Sequence, residues 1–531
     1  MNSTTSRLAV LVVVGMGWAL LTGASASAAP GGSLWNSAGG DRANTRYAAS
    51  ESKISPRTAA DLTPAWVLHT GGDVSATPVV DGSRVYVPDW EGDLYAVDKT
   101  TGEVLWQKQV GDYTGVPRDA SRTSPAFTDT ALVIGDKGPT SDAQGNPTLG
   151  NGGRVIAIDK ATGAPLWVTQ VDSHPAAVIT QSPTIFDGVV YVGVSSIEEA
   201  LAGLVPGYDC CTFRGSMVAL DLATGRILWR TSMTPQGYPG VSVWGSSPAV
   251  DPKRGTVYVG TGNNYTLPPA VQDCLDAAGD DADAQRACLP PDDLFDSVVA
   301  LDMRTGAVKW ATHAVAQDAW SWACLVALPT CPSPSGPDYD FGQAPALFTV
   351  KPPAGGGTRE LVGAGQKSGQ YWALDPDTGK VVWTTATGPG GINGGLQWGS
   401  AVDGRRIYTA NANSNAIAYP DPSGPTTGIW SALDAATGRI LWQTRPTHGG
   451  GSPGPATTAN GVVFGCATDA HGWMYALDAA TGQILWSFES GGTCLSGAAI
   501  SNGMVFWGSG YGQYGGAVGT PSNKLYAFGL G

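Results

Sequence analysis

Ala476-Leu477-Asp478-Ala479-Ala480-Thr481-Gly482-Gln483-Ile484-Leu485-Trp486 is one copy of the pattern that decides the fold. It reads apolar, x, Ala, x, Asp, x, x, Thr, Gly, three residues, Trp. The pattern occurs seven times, with its alanine at Ala96, Ala157, Ala219, Ala300, Ala373, Ala432 and Ala476. Each copy predicts two short strands around a tight turn, in which Gly suits a positive φ and Asp bonds the amides that follow. A Pro-x-apolar run and a further strand precede it, as in Thr77-Pro78-Val79-Val80-Asp81-Gly82 and Val85-Tyr86-Val87. That makes four strands per copy. The alanines lie 44 to 81 residues apart, so loops vary in length while the unit stays fixed. Four-stranded sheets repeated radially form a β-propeller.

Outward from the repeats, the two ends complete the count. Leu525-Tyr526-Ala527-Phe528 supplies a third strand that no Trp strand follows, and Ala65-Trp66-Val67 is a Trp strand without a predecessor. Together they predict an all-β, eight-bladed propeller of four-stranded antiparallel blades, the last closed by both termini, as a single domain over 30–531. Closure removes the free sheet edges that invite aggregation. The repeat tryptophans are read as packing between blades.

Composition agrees with that class. The chain has 531 residues, only 14% of them charged, with 74 Gly, 37 Pro and 19 Trp. It is turn-rich but too aromatic for disorder. A net charge of -14 would repel a phosphate backbone, which argues against nucleic-acid binding. Residues 1–29 read as an export signal: Arg7, an apolar run from Leu8 to Leu21, then small residues leading to cleavage near Ala28 or Ala29. The run is too short to span a bilayer. No other stretch approaches the required length, so a secreted product, extracellular or periplasmic, without a membrane span is expected. All eight cysteines lie in the exported part, where disulfides persist, and they allow 105 pairings.

Five scattered His exclude the usual zinc and haem motifs, and there is no phosphate loop or nucleophile elbow. Chemistry is therefore expected where polar residues depart from the repeat, at strand ends that converge on the axis.

The eightfold repeat resembles the quinoprotein alcohol dehydrogenases, propellers that hold pyrroloquinoline quinone and a metal ion on their axis. Val194-Ser195-Ser196-Ile197-Glu198-Glu199, Asp209-Cys210-Cys211-Thr212-Phe213-Arg214-Gly215-Ser216 and Pro337-Asp338-Tyr339-Asp340-Phe341-Gly342-Gln343 are most similar to the polyvinyl alcohol dehydrogenase branch. The resemblance implies Glu198 and Asn263 as metal ligands, with calcium as the ion, hard oxygen donors suiting it. It implies quinone contacts from Thr180, Ser195, Ser196, Ser242, Gln397 and Trp398, with the Trp244 indole as floor beneath the quinone. Lys367 and Arg122 would meet its oxygens and carboxylates.

For the general base, Asp338 aligns best when the strand after Gly342 keeps its register. Asp340 and Asp318 are the alternatives, and Ser321 stands where the family places an Asp. Asp340, two residues past the base, resembles the pattern of lanthanide-using members, so Asp338 and Asp340 also count as metal ligands and a trivalent ion stays open. Cys210 and Cys211 arrive a blade later than the family's adjacent pair. They either form a vicinal disulfide that caps the quinone or bond elsewhere. Cys274 with Cys288, Cys324 with Cys331 and Cys466 with Cys494 are read as structural pairs.

The implied activity is oxidation of an alcohol, secondary and conceivably polymeric, by hydride transfer to the quinone. Electrons would then leave to a separate acceptor such as a cytochrome c. The rival reading is a scaffold or binding propeller that kept the blades and lost the cofactor.

Overall fold

In the computed structural model, residues 1, 34–138, 149–352, 355, 357–512 and 519–531 are described. The expected export segment lies outside them, apart from Met1. No described helix is long and apolar enough to cross a membrane.

The repeat builds its blade through one local device. Asp98 Oδ1 accepts from Thr100 N at 2.9 Å and Thr101 N at 2.8 Å, which turns the chain between strands Asp93–Asp98 and Val104–Gln109. Gly102 follows at φ +77°, and a Cβ there would stand 2.8 Å from the Trp66 ring of the preceding blade. Trp66 Nε1 donates to Lys99 O in that same turn, at 3.1 Å. Glycine is thus required twice over, for the left-handed backbone and for the indole that covers it.

The device recurs around the ring. Trp106, Trp167, Trp229, Trp310 and Trp442 donate to carbonyls of Lys160, Leu222, Met303, Pro376 and Ala479, each in the next blade's turn. Trp486 donates to Leu62 O at 2.9 Å and so meets the N-terminal strand. Trp383 covers Gly438 in the same way, but its buried Nε1 lacks a partner among the described residues.

Eight sheets result. The first runs Val79–Val80, Arg84–Pro88, Asp93–Asp98, Val104–Gln109 from inside to outside. The last takes its outer strand, Leu62–His69, from the N-terminal side and pairs it antiparallel with Lys524–Leu530. Second and third strands are buried throughout and form the apolar layers between blades, whereas fourth strands alternate with solvent. Insertions sit in loops. Helices Pro269–Ala278 and Ala282–Ala287 are joined by Cys274–Cys288, and Cys324–Cys331 closes a loop after Trp322. Cys466–Cys494 links two neighbouring blades.

Candidate active site

Loops at strand ends bring the expected residues together. Strand Val189–Ser196 runs past its outer partner to pair with Ala177–Val178, which places Thr180 Oγ1 2.7 Å from Ser195 Oγ. Ser196 Oγ lies 3.3 Å and Ser242 Oγ 2.7 Å from the Tyr265 hydroxyl, a fully buried phenol whose pKa burial raises. Two residues beyond Ser242, Trp244 Nε1 donates to Asp340 Oδ2 at 2.9 Å. Gly342 admits the ring closely: a Cβ there would stand 2.6 Å from Trp244 and 3.3 Å from the Gln397 side chain. Trp398 meets Trp244 edge-on at 5.2 Å between centroids.

Asp338 and Asp340 both reach Lys367, although Asp338 sits in the left-handed region and the Asp-Tyr-Asp segment is therefore not the extended strand that simple alternation would need. Lys367 Nζ bridges them, 2.8 Å from Asp338 Oδ1 and 2.9 Å from Asp340 Oδ2, and lies over the Trp244 ring at 5.4 Å. Asp340 also accepts from Asn263 N at 2.8 Å. Both its oxygens are therefore engaged by the protein, whereas Lys367 is the side-chain partner given to Asp338. The Asn263 amide nitrogen donates to the carbonyls of Asn264 and Trp320, both at 2.8 Å. That fixes the orientation of its Oδ1. Asp318 lies beneath: its two oxygens accept from Asp338 N at 3.1 Å and Tyr339 N at 2.7 Å, holding Asp338 at φ +59°. The insertion after Ser321 thus returns Asp338 to the cluster, while Asp318 binds backbone.

The two glutamates at the expected ligand position point apart. The Glu198 carboxylate is spent on its own loop, accepting from Thr212 N at 2.9 Å, Phe213 N at 2.7 Å and Tyr208 Oη at 3.1 Å, with His174 Nε2 at 3.8 Å. These bonds hold the segment carrying Cys210 and Cys211, which are bonded to each other. Its neighbour Glu199, at the start of helix Glu198–Leu204, is the carboxyl that interacts with Lys367, Asp340 and Asp318. Because a helix starts there, the two adjacent side chains turn to different sides, Glu198 to the Thr212–Phe213 loop and Glu199 to the carboxyl cluster.

The electrostatics of this cluster are unbalanced. Asp338, Asp340 and Glu199 share the ammonium of Lys367, and Asp318 and Asp296 add two more carboxyls behind them. Burial pushes Glu199 up to about 8, with Lys367 opposing and Asp340 and Asp318 adding to the rise. Burial likewise moves Asp318 to about 6 and Asp338 well above the carboxylate range. Neither oxygen of fully buried Asp296 has a hydrogen-bond partner among the described residues. Burial alone would depress Lys367, but Asp338, Asp340 and Glu199 lift it well above its usual value. Among the described residues no three His, Cys, Asp or Glu side chains converge as closely as a bound ion would draw them. The chemistry of the donors nonetheless fits a hard cation: carboxylates in excess and an oriented amide oxygen, in a place that water does not neutralise.

Towards the axis the sign reverses. Arg122 lies over the rings of Trp398 and Trp90, at 4.9 and 5.3 Å, and Lys137 lies over Trp90 at 4.9 Å. Burial, and then Arg122, lower Lys137 to about 8. Arg122, Thr180, Ser246 and Trp398 line a cavity shared with Arg46, itself buried and lowered to about 9. Lys137, Tyr265 and Asp296 escape a motif reading because they lie on strand ends with no fixed spacing to the repeat.

Comparison with known proteins places this geometry. Residues 35–389 match the family model described as glucose/ethanol/alcohol dehydrogenase, β-propeller domain, of the PQQ type, and residues 426–518 match that of the outer membrane protein assembly factor BamB. A polyvinyl alcohol dehydrogenase from Sphingopyxis sp. (strain 113P3) is 34% identical over 71% of this chain and 54% of its own length. Another from Pseudomonas sp. is 29% identical over 93% and 76%. The chain spans about half the length of the Sphingopyxis relative. Among solved structures, the quinohemoprotein alcohol dehydrogenase of Comamonas testosteroni shares the fold at TM-score 0.69 and 20% identity, over 94% of this chain and 81% of that one. A europium-containing methanol dehydrogenase does so at 0.65 and 18%, over 95% and 99%. By the match over 35–389, the chain belongs to the pyrroloquinoline quinone-type glucose/ethanol/alcohol dehydrogenase β-propeller family.

Proposed function

We propose that the chain is a secreted quinoprotein dehydrogenase that oxidises a secondary alcohol, including the hydroxyls of polyvinyl alcohol, to a ketone. The observation that carries this reading is the buried cluster of Asp338, Asp340, Glu199 and Lys367 beside Trp244 and Asn263. A scaffold propeller has no use for three carboxyls on one ammonium with two more behind them, whose burial is costly.

Glu199, Asn263, Asp338 and Asp340 would hold calcium or a lanthanide ion. Arg122, Thr180, Ser195, Trp244, Lys367, Gln397 and Trp398 would hold the quinone, with Ser196 and Ser242 acting through Tyr265 and Cys210–Cys211 on a neighbouring loop. When bound, the quinone would supply a hydride acceptor and the ion Lewis acidity beside it. Asp338 takes the substrate hydroxyl proton, its carboxylate being the one less engaged by protein donors. Asp318 orients Asp338 through two backbone amides. Lys367 stabilises the ionised carboxylates and supplies positive charge over the indole. Trp244 and Trp398 present flat apolar faces that exclude water. The hydride and the proton account for both hydrogens lost when the alcohol becomes a ketone. In this reading electrons leave to a separate acceptor such as a cytochrome c.

Metal removal tests this reading. Protein treated with a chelator is expected to lose alcohol oxidation and to regain it with calcium or a lanthanide. Undiminished activity after verified metal removal contradicts it.

A further inference from the structure

The insertion that separates Ser321 from Asp338 carries an apolar surface beside the cluster. Leu325, Val326 and Leu328 are 53%, 56% and 38% exposed, in a loop closed by Cys324–Cys331. Its shape comes from internal bonds, Leu328 N to Ala323 O at 2.9 Å and Cys331 N to Leu328 O at 3.0 Å, and not from packing of these side chains. The short turn Trp322–Cys324 at its base packs on helix Glu198–Leu204, so closely that a Cβ at Gly203 would stand 2.6 Å from Trp322. Leu204 ends that helix, 49% exposed. The same helix carries Glu199 in its first turn, and Trp320 O, just before the loop, receives the Asn263 amide. The patch therefore borders the proposed reaction centre.

Its charge identifies what it takes. Residues 319–337 and 200–208 contain no charged side chain, in a chain of net charge -14. A charged redox protein would find nothing to pair with there. Exposed Thr330, Ser333 and Ser335 interleave hydroxyls with the aliphatic groups. We propose that Leu204, Leu325, Val326 and Leu328 form a docking surface for the aliphatic backbone of a neutral polyhydroxylated polymer, feeding its hydroxyls to the active site. This rests on the dehydrogenase reading above and extends it from one hydroxyl to the chain that bears it. Apolar contact of several methylene groups is enough to shift affinity by an order of magnitude.

The test is the variant L325S/V326S/L328S, with Leu204→Ser as a second variant, each compared by thermal melting with the parent protein. Polyvinyl alcohol and 2,4-pentanediol serve as substrates, and polymer binding to cofactor-free protein is measured by calorimetry. The expected result is a rise of about tenfold in KM for the polymer, unchanged KM for the diol, and matching loss of polymer binding. Polymer binding that is unaltered in both variants overturns the proposal, as does an effect confined to the KM of the electron acceptor. Polymer binding lost in the variants of a protein that oxidises no alcohol would support the docking surface while removing the dehydrogenase reading.

Discussion

The rim and the axial end of this propeller obey different rules. At the rim, Trp66, Trp106, Trp167, Trp229, Trp310 and Trp442 cover the Gly of the next blade and donate to a carbonyl of its turn, and Trp383 covers its Gly without that bond. Those acceptors lie 33 to 74 positions away, yet each is the residue that follows the repeat Asp, so the repeat itself marks both partners whatever the loop between them. At the axial end, Asp340 meets Trp244 from 96 positions away and Asn263 from 77. No local pattern encodes such contacts, and a one-residue shift exchanges a cluster carboxyl for a loop anchor, as Glu199 and Glu198 illustrate. The rim therefore carries stability and tolerates no local change, while the axial end carries chemistry and departs from the repeat.

That division predicts a crossed result. Removing the base, Asp338→Ala, is expected to lower the rate by about 10² to 10⁴ even at saturating metal and quinone. Asp340→Ala is expected to recover in part with added calcium. Steady-state kinetics across a calcium titration checks both; rescue of Asp338→Ala but not Asp340→Ala would exchange their roles. At the rim, Trp229→Ala removes a buried indole that covers Gly306 and bonds Met303 O at 3.0 Å. Its expected cost is about 3 kcal/mol of stability, read from denaturant unfolding, with the rate of the folded fraction unchanged. A rim variant that lost its rate without losing stability would break the comparison.

A smaller effect sharpens it. The Glu199 value of about 8 lies above its ordinary 4.5, so metal-free folded protein binds more protons than the unfolded chain between those values. This contribution is fully present below about pH 4.5 and is lost as the pH rises to about 8. Buried Asp338 and Asp318, also raised, add to the same slope. Melting temperatures of metal-free protein should thus fall across that window, and calcium should flatten the fall. A metal-free protein that gains stability over the same window would show that the cluster is not buried charge.

How much was legible follows from the same contrast. The blade count, the closing strand Leu62–His69 and the role of the repeat tryptophans could be read because turn chemistry and packing are local. The presence of Asp338 in the cluster was legible despite the insertion because the strand after Gly342 pins its register, whereas that of Glu199 was not, since which of two adjacent glutamates turns inward depends on where a helix begins. Asp296 was invisible because its significance lies in having no donor, which only the folded packing reveals.

Titration of metal-free, cofactor-free protein with pyrroloquinoline quinone, followed by visible absorbance and tryptophan fluorescence with and without calcium, tests the central claim most directly. The account predicts quinone binding that needs calcium, is lost in Glu199→Gln and retains its calcium dependence in Glu198→Gln. Binding that ignores calcium, or that Glu199→Gln leaves intact while Glu198→Gln abolishes it, would contradict the assignment of the axial carboxylates to a metal ion.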